Sequence, residues 1–385
     1  TVGAAKGYFI NTTSNACTIT LPSSAEAGDQ VILIDYARTW GTNAITIDSN
    51  GLLFQGEEDT YIVDYDTAGQ ALNLVYSGAT VGWTPSSDIV NALEPVAPTI
   101  QKAIFGYGKT SSDVSLTNLV NSSGVVATDV TGVGTARNNL AASSYGGDKA
   151  IFGYGRTSTQ VSMTNLVNNS GVVATDVSGV GTARQSLAAA SYGGDKAIFG
   201  YGTDSSLTNL VTNQGVVGND VSGVGTARND LAAASYGGDK AIFGYGYYYS
   251  GGVVNYSLTN KVSNSGVVAS DTTGVGTARY LLAAAGYGGD KAIFGFGTTG
   301  SVTGLTNLVS NTGVVASNVS AVGTARKGLA AAGYGGDKAI FGYGTTGSLT
   351  AITNLVNNSG VVASDVSGVG TAREKPAAAG FSYAS

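Results

Sequence analysis

The sequence predicts an all-β protein in two parts: a small β-sandwich-like domain over residues 1–85 and a six-bladed β-propeller over residues 99–385, with a linker at 86–98. Three observations predict this. The motif KAIFGYG recurs six times with one conservative change, at a near-constant period. The first quarter of the chain carries no trace of it. Charged residues make up only 11% of the chain while glycine alone numbers 58, a balance that suits strands joined by tight turns and argues against disorder.

In chain order, the first section holds the runs YFIN from Tyr8, CTITL from Cys17, QVILIDY from Gln30, AITI from Ala44, TYIVDY from Thr60 and ALNLVY from Ala71. Most alternate apolar with polar residues and are separated by Gly, Asn, Asp or Ser clusters, the signature of half-buried strands. A compact sandwich or β-prism-like domain follows. Its landmarks KGYFINTTS, TITLPSSAEAGDQVILIDYARTWGTNAITID and LNLVYSGATVGWTP resemble a small β-domain that recurs in bacteriophage tail-fibre and appendage proteins. That resemblance implies a virion-surface location and a role in attachment or in trimer formation.

The stretch Ser86 to Pro98, SSDIVNALEPVAP, reads as a short, semi-stiff connector. Pro95 and Pro98 favour extended backbone, and Ser87 or Asp88 is placed to cap a single turn over Ile89 to Leu93.

The repeat starts at Lys102, Lys149, Lys196, Lys240, Lys291 and Lys338, giving spacings of 47, 47, 44, 51 and 47 residues. One full unit, Gly323 to Val369, contains GTAR, the run LAAAGY, a GGD turn, KAIFGYG, a variable loop, the run ITNLV, the turn NNSG and the run VVASD. Four strand-like runs at a period near 47 predict one propeller blade per unit. The pattern resembles kelch repeats, in which a hairpin with a glycine pair is followed by two outer strands and a basic residue opens the next unit. It departs from them in placing FGYG where the glycine pair normally closes the second strand, and in having no tryptophan after Trp83.

The phase of the repeat predicts how the two ends meet. No LAAAGY run precedes Lys102, and the last unit runs past Arg373 into KPAAAGFSY with no KAIFGYG behind it. Pairing Pro376 to Phe381 with Lys102 to Gly108 completes six blades and leaves no open sheet edge, which would otherwise invite aggregation. The Ala-, Ser- and Gly-rich LAAAGY runs suit the crowded innermost position. In the first copy of KAIFGYG, alternation predicts Ala103, Phe105 and Tyr107 on one face and Ile104, Gly106 and Gly108 on the other, so that each aromatic face packs on the glycine face of the adjacent blade.

Candidate site residues stand against this background. The GTAR arginines Arg137, Arg184, Arg228, Arg279, Arg326 and Arg373 are expected as a ring on one face or around the channel mouth. They suit an acidic ligand, or else bond carbonyls and the acids Asp129, Asp176, Asp220, Asp271 and Asp365 across a blade boundary, with Asn318 in the carboxylate's place once. The aspartates of the GGDK turns read as solvated turn residues. The loop after FGYG lies on the GTAR face and is longest in the fourth unit, where Tyr247, Tyr248, Tyr249 and Tyr256 suit stacking on a sugar or anchoring a protein, or pack down on the blade.

Several chemistries are excluded or disfavoured. There is no histidine, which removes the usual general base of a Ser or Cys triad and the common zinc ligand, and Cys17 is the only cysteine. The formal charge of −6 speaks against a nucleic-acid partner. The chain has no membrane-length apolar run, and its opening TVGAAKGYF lacks the features of a signal peptide. The GYGGDKAIFGYG glycines precede no helix, so they are not a dinucleotide fingerprint. The expectation is a non-enzymatic virion structural and adhesion protein without catalytic residue, metal or cofactor. Its expected partners are a host cell-surface glycan or protein, other virion proteins and further copies of itself, with a trimer foremost. The alternatives are a polysaccharide-degrading enzyme, whose acids would be drawn from Asp113, Asp204, Asp230 and Glu374, and a purely architectural capsid or tail decoration.

Overall fold

The computed structural model describes residues 2–57, 63–86, 101–320 and 322–382, and the regular elements in them are all β-strands. They fall into two compact units, one within residues 1–98 and one within 99–384. The expected linker beyond Ser86, with its turn over Ile89 to Leu93, lies outside the described residues. Among the described residues no helix is long and apolar enough to cross a membrane.

Unit 1 is built from β1 (Lys6–Ile10), β2 (Cys17–Thr20), β3 (Gln30–Asp35), β4 (Ile45–Asp48), β5 (Val63–Tyr65), β6 (Ala71–Tyr76) and β7 (Trp83–Pro85). They form two sheets, ordered β1-β3-β6-β7 and β2-β4-β5. The chain switches sheet after each of its first three strands, so β1 pairs with β3 and β2 with β4 in parallel. Alternation in QVILID and ALNLVY turns Val31, Leu33, Leu72 and Leu74 into a shared core with Ile45, Ile47, Trp40 and Trp83. Strand β7 is too short to show alternation in the sequence. Trp83 recruits it by burying its indole against Tyr76, ring centroids 5.5 Å apart.

Unit 2 consists of six three-stranded antiparallel sheets and one small hairpin. Each sheet takes its first strand from the LAAAGY-type run, its second from KAIFG and its third from TNLV or TNKV. An example is the series Ala141–Tyr145, Lys149–Gly153 and Thr164–Val167. The sheet at the start of the unit takes its first strand from the other end of the chain. Ala377–Phe381 pairs with Lys102–Gly106 in the register Ala377↔Gly106 to Phe381↔Lys102. The first strands also touch one another in chain order, and Ala377–Phe381 touches Ala141–Tyr145 as well.

Between sheets, each phenylalanine of KAIFG lies on the last glycine of the preceding one. A Cβ at Gly106 would stand 2.7 Å from Phe152 Cζ, one at Gly153 2.6 Å from Phe199, and one at Gly342 2.8 Å from Phe105. Only glycine fits beneath a ring this close. Tyr107 departs from the expected face. It packs with Ile104 against Phe152, ring centroids 5.1 Å apart, and not beside Phe105. The strand ends at Gly106, and Tyr107 takes a left-handed φ of 61°, which turns its side chain over and breaks the period of two.

The expected fourth strand is also modified. The VVATDV run makes two isolated bridges, Val120↔Val126 and Thr117↔Val130, with the three residues between 126 and 130 facing the two between 117 and 120. The extra residue is a bulge. Asn118 fills it, donating from Nδ2 to Ala127 O at 3.0 Å and to Asp129 Oδ1 at 2.9 Å. The same two bridges recur in all six units.

Candidate functional site

The GTAR arginines are interior groups. All six are 0–1% exposed. Arg137 Nε donates to Tyr154 O at 2.9 Å, Nη1 to Thr135 O at 3.1 Å and Nη2 to Asn165 Oδ1 at 2.7 Å. Its guanidinium also lies 4.4 Å over the Tyr107 ring, and Tyr107 in turn donates its hydroxyl to Val133 O at 3.0 Å. Burial pushes the Tyr107 phenol up to about 12, so at neutral pH it keeps the proton it donates. Asp176 accepts from Thr135 N and Oγ1 and from Asn165 Nδ2, and stands 3.8 Å from Arg137 Nη1. Where Asn318 replaces the carboxylate, its Oδ1 accepts from Thr277 N at 3.1 Å and its Nδ2 donates to Thr277 Oγ1 at 2.7 Å, so the geometry survives with one donor reversed. The structure therefore sets five of the arginines beside the acids expected for them, and four of them, Arg137, Arg184, Arg228 and Arg373, also donate Nη2 to an asparagine that sequence reasoning missed. The strand-embedded Asn of TNLV is fully buried in every unit.

The tyrosine loop of the fourth unit is a hairpin, Tyr247–Tyr249 paired with Val253–Asn255. Tyr247 stacks on Tyr280, ring centroids 4.9 Å apart, and its backbone exchanges bonds with Asn229. Burial, with the charges of Asp230 and Asp204, pushes its phenol up to about 12. Tyr248 and Tyr256 are half-buried, while Tyr249 at the tip is 60% exposed beside Val253 at 53%. Tyr247 thus anchors the hairpin and Tyr249 presents it.

The low-repeat acids are spread among different contacts. Asp113 accepts from Asn138 Nδ2 and Asp204 from Asn229 Nδ2, each at 2.6 Å. Glu374 lies in a backbone bridge with Lys109. Asp230 borders a hollow of about 70 Å³ lined by the residues that follow the six GTAR arginines, Asn139 and Lys375 among them. Among the described residues no group of three or more acids, cysteines or histidines is placed to hold a metal ion. Compared with known proteins, the chain matches no family model and no curated sequence.

Proposed function

We propose that the chain is a virion-surface adhesion subunit of the bacteriophage fibre or appendage kind. In this reading unit 2 is a six-bladed, kelch-like β-propeller closed by the chain's C-terminal strand, and it meets a host-surface glycan or protein, or an adjoining virion protein. Unit 1 joins copies of the chain.

The observation that carries the reading is the hairpin at Tyr247–Asn255. Five of the six units close the same connection with short Thr-, Ser- and Gly-rich turns, and one projects an aromatic tip. The repeated fold has no packing need for this tip, whereas a tyrosine presents a large contact area at low entropic cost. Support for the role of unit 1 comes from an apolar sheet face. Phe9 is 71% exposed, Tyr36 67% and Ile32 38%, with the Phe9 and Tyr36 rings 6.2 Å apart. An exposed patch of this kind suits contact with a second copy.

The test is adsorption of labelled protein to host cells and its incorporation into particles, comparing the native chain with Tyr248→Ser/Tyr249→Ser. Tyr247 is left in place because it packs on Tyr280. The expected result is an unchanged melting temperature with binding weakened roughly tenfold or more. Equal adsorption and equal incorporation by the variant would remove the hairpin from recognition. Release of reducing sugar from host polysaccharide would favour the hydrolase reading instead.

A further inference from the structure

Between each GTAR arginine and the leucine or proline three places on, the sequence reads NN, QS, ND, YL, KG and EK. The second residues of these pairs, Asn139, Ser186, Asp230, Leu281, Gly328 and Lys375, all adopt left-handed backbone, with φ between 47° and 60°. Such a conformation ordinarily selects glycine, asparagine or aspartate. Here a serine, a leucine and a lysine accept it too, because the backbone is tied in sequence. Ser186 N donates to Asn139 O, Asp230 N to Ser186 O, Leu281 N to Asp230 O, Gly328 N to Leu281 O and Lys375 N to Gly328 O, at 2.6–3.0 Å. One main-chain frame therefore carries five different side chains and one glycine around one hollow. Its apolar floor comes from the next residues, among them Leu140, Leu187, Leu231, Leu282 and Leu329.

The arrangement of charges around this frame is specific. Asp230 is third in the relay and Lys375 sixth, so they stand on opposite sides of the hollow. Asn139 and Ser186 lie between them on one flank, Leu281 and Gly328 on the other. Among the described residues neither Asp230 nor Lys375 takes part in a salt bridge. Burial pushes the Asp230 carboxyl up, against the opposing pull of the Ser186 hydrogen bond and the Lys375 charge.

We infer that this hollow binds a small zwitterion, its ammonium group against Asp230 and its carboxylate against Lys375, with the carbon chain along Leu281 and Gly328. A simple anion would meet Lys375 but be repelled by Asp230, and a simple cation the reverse. An apolar guest would desolvate both charges without return. The hollow has room for the body of a small amino acid. The site is distinct from the exposed tip of the tyrosine hairpin and does not depend on the adhesion reading.

The test is calorimetric titration of the full chain with the unbranched ω-amino acids from glycine to 6-aminohexanoate, with butyrate and butylamine as single-charge controls. At least one zwitterion is expected to bind, with the controls weaker by roughly tenfold or more. Asp230→Asn and Lys375→Met should each cost a similar factor. Gly328→Leu should abolish binding by filling the hollow while leaving the melting temperature in place. The other five chain positions hold side chains at the same φ, and a Cβ at Gly328 meets its nearest neighbour, Lys375 Cγ, at 3.5 Å. If Gly328→Leu fails to fold, the two charge variants decide the matter. The proposal is overturned if no member of the series binds, if butyrate or butylamine binds equally well, or if binding survives both Asp230→Asn and Lys375→Met.

Discussion

At the scale of single residues, unit 2 is organised by an arginine buried in every repeat, with a carboxylate beside five of the six and the neutral Asn318 in its place in the Arg279 unit. An arginine without solvent costs several kcal/mol unless its donors are occupied; carbonyls and an asparagine occupy all three nitrogens of Arg137, Arg184 and Arg373, while Arg228 Nε and Nη1, Arg279 Nη2 and Arg326 Nη2 make no hydrogen bond. The acids respond in turn. Burial alone would raise Asp129, Asp176, Asp220, Asp271 and Asp365, but the Thr and Asn donors and the arginines hold all five below the usual carboxylate range. A carboxyl depressed in the folded state contributes stability that is complete above its unfolded value and is lost as pH falls through the folded one. With no histidine to titrate nearer neutrality, the melting temperature should hold steady down to about pH 5 and fall steeply below about pH 4. Asp176→Asn, which copies the natural Asn318 arrangement, should keep the fold and soften that fall. A melting temperature flat to about pH 3 would contradict the network's role. The arginine–aspartate pairing was legible because both residues recur in register. The asparagine was not, since TNLV stands in the sequence only as one more strand-like run. Its signal was present nonetheless, because asparagine is disfavoured inside strands and yet stands in all six.

At the scale of the strand, KAIFGYG does two jobs. Its alternation sets phenylalanine on one side and glycine on the other, so each sheet supplies the ring for one neighbour and the recess for the next. Burial of one such ring is worth about 2–3 kcal/mol, and the recess is as exacting as the ring. Gly153→Ala would place a methyl 2.6 Å from Phe199 Cζ, and a cost of about 1–3 kcal/mol is expected from overpacking. Adding Phe199→Leu should recover part of that loss, measured by chemical denaturation. Purely additive losses would mean that the two do not share a site. Alternation anticipated this pair and failed one residue later. Tyr107 follows a strand end in left-handed backbone, a conformation that a Gly-Tyr-Gly triplet permits but does not announce. The bulge in VVATDV escaped notice for a related reason, because an extra residue in an outer run leaves the hydrophobic pattern of the two valines intact.

At the scale of the whole molecule, the repeat phase tells most. Units that begin in mid-pattern and end on a lone first strand require their ends to meet, and Ala377–Phe381 lies against Lys102–Gly106. The end segment brings its own cluster with it, Arg373 Nε on Tyr107 O at 2.8 Å and Thr371 Oγ1 on Asp129 Oδ2 at 2.6 Å. On the GGD side a second relay runs through both ends, from Gly335 N to Gln101 O and from Ser382 N to Asp148 O. None of this long-range bonding is visible in any one repeat; only the mismatch between the first and last units pointed to it. The hollow beside Asp230 was equally hidden, because its wall comes from six positions that share a backbone and no side chain. Assembly belongs to unit 1 in this account, so Phe9→Ser/Tyr36→Ser should lower the oligomeric state seen by light scattering without unfolding either unit. An unchanged mass would move self-association elsewhere.

The most direct test of closure by the C-terminal strand is hydrogen–deuterium exchange over residues 102–106, compared with residues 149–153, in the full chain and in a chain ending at Arg373. If the strand closes the ring, the two segments are equally protected in the full chain, and truncation releases residues 102–106 well ahead of 149–153. Fast exchange at 102–106 in the full chain, or protection there that survives truncation unchanged, would contradict it.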